Sequence, residues 1–190
     1  PPRAVRLAFT ADSRLLLSST FPSKADTDRA KKQRKRTEEM PKGGLVILDL
    51  GSDAAARIAN VKSFQAPEKG AAWVAYLKEA KPGEKAPEKE AGEAPARSPA
   101  SSRSRRKEYG TDLVLRDLKK AEENERIFAD VLEYSFSKDG KTLVYAVASR
   151  KEEENGVYQI APGAAGDPAT LLAGKGKYLR LTWNREHARL

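Results

Sequence analysis

The 190-residue chain has no cysteine and a single histidine. The first absence excludes disulfides and thiolate metal ligands, so no redox compartment can be read from cysteine usage. The second leaves His187 as the sole imidazole; a catalytic base would need a nucleophile and an orienting carboxylate brought to it, and beside Glu186 it is expected in an exposed turn. No apolar run reaches the roughly 18 residues that cross a bilayer. The opening PPR leads into a strand-like run and not a signal peptide, so an export signal is either lacking or already removed. Acidic residues do not cluster as metal ligands: ADTD at 25–28 lacks the rest of a calcium loop, and Glu152, Glu153 and Glu154 read as a solvated loop tip. No catalytic, cofactor-binding or metal-ligating residue is expected.

What the chain has in quantity is charge, 33% of residues against 39% hydrophobic, with a net +9. Its location matters more than its size. Residues 24–42 hold eight Lys/Arg against four Asp/Glu, and 78–108 hold nine against six, so seven of the nine net charges fall there. The second stretch has no Val, Ile, Leu, Met, Phe, Tyr or Trp, and contains Pro82, Pro87, Pro95 and Pro99. It cannot bury enough apolar surface to offset the entropy of ordering, and is expected to be a disordered insertion. The first, with AKKQRKR at 30–36, is expected to be a shorter loop of the same kind. KKQRKR also matches a nuclear-localisation pattern, a frequent false positive.

Outside these stretches the sequence repeats. FSKDGKTLVY at 136–145 matches FTADSRLLLS at 9–18, and FQAPEKGAAWVAY at 64–76 with two extra residues in the turn before Ala71; WNRE at 183–186 opens a further copy. A later strand recurs as LVILDL at 45–50, LVLRDL at 113–118 and, less closely, GVYQIAP at 156–162. Arg14, Ala71 and Lys141 serve as equivalent starts of the second strand, and Gly44, Asp112 and Gly156 of the third. These starts lie 15 residues apart in the last copy but 30 and 41 in the first two, where the charged stretches fall. Removing the excesses of 15 and 26 from separations of 57 and 70 leaves periods of 42 and 44. About 40 to 45 residues with four strands per unit is the period of a β-propeller blade.

The strand chemistry agrees. LVYAVA at 143–148 and LVIL at 45–48 are continuous apolar runs, expected to be buried on both faces, as in stacked blades. Asp139-Gly140 suits a tight hairpin turn with positive φ, and Gly43-Gly44 and Asn155-Gly156 suit the starts of third strands. Asp12, Asp139, Asp49 and Asp117 recur as turn and strand-end residues. Phe9, Phe64, Phe136, Trp73, Tyr76, Tyr145 and Trp183 fall at repeating places and are assigned to packing between blades. In the second copy the fourth strand is expected at 125–130 and the next innermost strand at 132–137; a helix over 118–132, built on AEENER, is the rival that the repeat register argues against.

The pattern at 136–145, followed by Gly-x-Tyr and an Asp-Leu strand end, resembles propeller repeats of the TolB-like and prolyl oligopeptidase-like kinds. KGAAWVAY at 69–76, GTDLVLRDL at 110–118 and YLRLTW at 178–183 look like the N-terminal propeller of bacterial serine peptidases of the prolyl oligopeptidase family. That resemblance covers the chain outside the two insertions. It implies an all-β partial propeller of about three four-stranded antiparallel blades. Blade 1 would span 5–62 with its insertion at 23–43, blade 2 63–131 with its insertion at 78–108, blade 3 132–176, and 177–190 the start of a fourth. It further implies a non-catalytic segment that caps a C-terminal α/β-hydrolase domain and screens peptide substrates, with the rest of the propeller as partner and a periplasmic or secreted location. The chain has no Gly-x-Ser-x-Gly elbow, so none of the family's catalytic residues carries over. The alternative is a scaffold propeller with no enzyme attached. Nucleic-acid or anionic-surface binding through the basic loops ranks third, as those loops lack aromatic partners.

Overall fold

The computed structural model describes residues 3–36, 39–70, 72–79, 109–119 and 125–184. His187, Glu186, the cluster at 103–107 and the insertion beyond Glu79 lie outside the described residues. The fold is all β with antiparallel sheets, and among the described residues it carries one α-helix. Strands β1 (Arg3–Phe9), β2 (Leu15–Phe21), β3 (Gly44–Asp49) and β4 (Ala55–Ala59) form an up-and-down meander in which each strand pairs with the next in sequence. Strands β5 (Val61–Gln65), β6 (Trp73–Lys78), β7 (Thr111–Asp117), β8 (Glu125–Phe136), β9 (Leu143–Val147), β10 (Gly156–Ile160) and β11 (Ala169–Ala173) are hydrogen-bonded in the same unbroken order.

Strand β8 divides that second run. Glu125 to Phe128 pair with β7, Glu133 to Phe136 pair with β9, and Val131 alone pairs with both. One strand thus closes a four-stranded meander and opens another. At the change of partner, Asp130 has φ 55°, and Asn60, between β4 and β5, has φ 58°. Asp and Asn tolerate this left-handed conformation better than other side chains. Arg180 repeats it at φ 64°. Each precedes an aliphatic residue, Val61, Val131 or Leu181, that packs into a cluster between layers. The first hairpin of every meander also has its register shift at the same step, after Ala4, Val61 and Val131. Gly110 is required at the second junction, because a Cβ there would overlap the Asp130 carbonyl.

Alternation along the strands sends consecutive side chains into different layers. Leu17, Leu45 and Ile47 of the first meander meet Phe64, Val74, Tyr76 and Val114 of the second. The opposite face of the second, Ala75, Leu77, Leu113 and Leu115, meets Phe136, Leu143, Tyr145 and Ile160 of the third. The third meander's other face, Val144, Ala146 and Val157, is covered by Tyr178, Leu181 and Trp183. The turns meet as well: Lys69 N–H donates to the Lys138 carbonyl at 2.9 Å.

Several sequence expectations need correction. The stretch expected as a loop at 23–43 contains a helix, α1 (Lys24–Lys32), because Ser23 accepts from Asp26 N–H and caps its first turn. Over the rival helix at 118–132, the described part from Glu125 is strand; Glu125 to Phe128 and Val131 supply the ladder with β7, and tertiary pairing overrides local propensity. The expected break near Leu132 is a change of partner within one strand. Phe64 pairs with Tyr76 as Leu7 does with Ser18 and Tyr134 with Tyr145, so it sits two places before the position of Phe9 and Phe136. The second turn is therefore one residue longer, not two. Val46 and Leu48 are half-buried and Phe9 is 61% exposed, because no layer covers their side of the first meander.

Candidate interaction surfaces

The repeated aspartates build turns. Asp12 Oδ1 accepts from Thr10 Oγ1 at 2.6 Å and Arg14 N–H at 3.2 Å; Asp139 Oδ1 accepts from Ser137 Oγ at 2.6 Å and Lys141 N–H at 3.1 Å. The Thr10 and Ser137 hydroxyls in turn accept from the N–H groups of Leu15 and Thr142. Glycine supplies positive φ at Gly140, 70°, while Ser13 takes the same place at 55°. Asp49 and Asp117 accept from the N–H groups of Gly51 and Lys119 at the ends of β3 and β7. The hydroxyls of Thr10 and Ser137 hold the Asp12 and Asp139 carboxyls below the ordinary range, and the Gly51 amide does the same for Asp49. Glu152 to Glu154, expected as a loop tip, form one 3₁₀ turn, with Glu154 and Glu153 paired to Lys151 and Lys175. Among the described residues no cluster of three His, Cys, Asp or Glu is arranged to hold a metal.

Of the repeated aromatic residues, all but Phe9 pack between layers. Tyr76 donates to Glu125 Oε1 at 3.0 Å, and Arg116 pairs with the same carboxylate at 3.3 Å. Burial, with the Glu125 charge second, pushes the Tyr76 phenol up; burial does the same for Tyr145 and takes Tyr134 to about 12. All three stay protonated and serve as hydrogen-bond or packing groups. Trp183 lies outside any strand; its Nε1–H donates to Ser135 Oγ at 3.0 Å, much as Phe136 N–H donates to Gln65 Oε1 one layer earlier.

Among the described residues, two surfaces stand out as open. The outer face of the first meander forms an apolar groove of about 520 Å³ lined by Leu7, Leu16, Ser18, Val46, Leu48 and Ile58. Leu7 and Phe9 are each 61% exposed at its edge. Ser18 holds the register position of Tyr76 and Tyr145, as each faces the third-strand residue two beyond Gly44, Asp112 or Gly156. Those counterparts are buried against the preceding meander.

The second surface is α1 and the turn after it. Gln33 ends the helix, Arg34 follows at φ 50°, Arg34 N–H donates to Lys31 O and Lys35 N–H to Ala30 O. This is a Schellman turn with arginine where glycine is the common choice. Lys31, Lys32, Arg34, Lys35 and Arg36 are all exposed, and a groove of about 700 Å³ runs between Asp26, Arg29, Lys35 and Pro41. Sequence reasoning missed this helix, although Ser23 and Asp26 have the spacing of a capping box.

Neither a family model nor a curated protein matches the chain. Among solved structures, it is similar to a prolyl endopeptidase at 16% identity and TM-score 0.47, covering 91% of this chain and 22% of that one. It is similar to the acylaminoacyl peptidase of Pyrococcus horikoshii at 11% and 0.43, covering 88% and 25%. A eukaryotic initiation factor stands at 10% and 0.44, covering 94% and 36%. The chain spans about a quarter of the length of the two peptidases.

Proposed function

We propose that the chain is a non-catalytic segment of a β-propeller within a larger prolyl oligopeptidase-like serine peptidase. Its blades are 5–62, 63–131 and 132–176, with 177–190 starting a fourth. There it caps an α/β-hydrolase domain and screens peptide substrates by size. The observation that carries the propeller reading is the open face of the first meander. Its register counterparts in the next two meanders are each covered by the layer before, so the pattern calls for one more layer on Leu7, Leu16, Val46 and Leu48. The peptidase part rests on the resemblance of 69–76, 110–118 and 178–183 to that family's propeller. A stack of rigid sheets suits a wall: it excludes bulky substrates by shape and needs no titrating group.

The test joins two measurements on the purified chain. Light scattering across concentrations should show self-association, and a fluorophosphonate serine-hydrolase probe should leave the chain unlabelled. A monomer with a cooperative melt at low micromolar concentration would overturn the incomplete-propeller reading. Stoichiometric labelling of one serine would overturn the non-catalytic one.

A further inference from the structure

We infer that the C-terminal end of α1 and its Schellman turn form a docking site for the phosphate backbone of double-stranded nucleic acid. This is independent of the propeller reading. Five of the six residues at 31–36 are cations, all exposed, and none forms an ion pair with a described residue. Of the described carboxylates nearby, Asp26 is tied to Ser23 at the opposite end of the helix, Asp28 lies one turn before Lys31 and Lys32, and Glu39 follows the turn, its N–H donating to the Arg36 carbonyl. The backbone beneath the cations is fixed by the two hydrogen bonds that close the turn. Arg34 keeps a left-handed conformation that glycine would adopt without strain, so a cation stands where the backbone alone favours none.

The shape and the missing side chains select the partner. Residues 24–36 bury only Ala30 and carry no aromatic or large aliphatic side chain, so no ring there stacks on an unpaired base and nothing wedges into a bilayer. A protein interface would need an apolar anchor at its centre, and this patch has none. What remains is a run of exposed cations on one helix end and its turn, complementary in charge to a line of phosphates. Duplex nucleic acid carries one negative charge per roughly 1.7 Å of axis, and contact through phosphates alone reads no sequence. Arg34 and Arg36 add planar forks suited to phosphate oxygens.

The experiment is fluorescence anisotropy of a labelled DNA duplex of about 20 base pairs titrated with the full chain. If all five cations meet phosphates, the log–log salt slope is about −4.5, a loss of roughly 500-fold in affinity between 50 and 200 mM salt. Changing Lys31, Lys32, Arg34, Lys35 and Arg36 to Gln should abolish binding, with circular dichroism confirming the fold. Arg34→Gly, which suits the turn, should keep or raise the melting temperature while making the slope shallower by about 0.9. Absence of duplex binding at 50 mM salt would overturn the proposal, as would an unchanged slope in Arg34→Gly. Equal or tighter binding to poly-glutamate or to phosphatidylserine vesicles would overturn it too, in favour of an acidic protein or a lipid surface.

Discussion

Asp12 and Asp139 hold two turns by the same set of contacts, each with a hydroxyl two residues before it and an amide two residues after. Their lowered folded-state pKa values, with that of Asp49, give a sign to the acid response. A depressed carboxyl contributes stability that is present above its unfolded value, here 3.8, and is lost as pH falls through the folded one. Melting temperature should therefore fall as pH drops below about 4, and the Asp12→Asn, Asp49→Asn, Asp139→Asn triple variant should lose less over that window. Thermal scans at pH 6, 4 and 2.5 check it; an equal loss in both proteins would refute the assignment. Asp130 offers a sharper case, since its backbone lies in left-handed space. Asp130→Gly should leave stability within about 0.5 kcal/mol, whereas Asp130→Val should cost about 1–2 kcal/mol because the branched side chain meets its own carbonyl. Urea denaturation of both variants separates the backbone effect from loss of the carboxylate.

At the scale of elements, some of the fold was written in side chains and some was not. The third-strand starts Gly44, Asp112 and Gly156 fall in one register, and the Asp139-Gly140 turn has its positive φ, because glycine and aspartate signal those geometries directly. The junctions at Asn60, Asp130 and Arg180 were not legible: three different residues perform one main-chain act. The bulge after Ala4, Val61 and Val131 leaves no residue signal either, and Phe64 aligned two places out of position because Ala66 holds the place of Phe9 and Phe136. Helix α1 was hidden by its charge, since composition suggested solvent while the cap at Ser23 and Asp26 specified a turn of helix. Consecutive burial to opposite layers makes Val114 and Leu115 equally intolerant, both at 0% exposure. Val114→Ala and Leu115→Ala should each destabilise by about 2–4 kcal/mol, read by urea midpoints. A strand with one wet face would lose stability at only one of them.

The described residues stack as three meanders, and the first leaves an apolar face uncovered. Leu7 and Phe9 would each contribute about 1.5–3 kcal/mol if covered, so Leu7→Lys with Phe9→Lys should weaken self-association about tenfold or more. Sedimentation velocity over a hundredfold concentration range reads this directly; association unchanged by the pair would place the contact elsewhere. The rim where second strands hand over to third strands has a different meaning. There the connections run through 22–43, 79–110 and 148–155, very unequal in length, yet each delivers its third strand in the same register. Pairing with the second strand sets that register, and the connecting segment has no part in it. For a protein engineer the rim is a graft site: a reporter or epitope spliced in place of 80–107 would ride on the sheets without rewriting any strand.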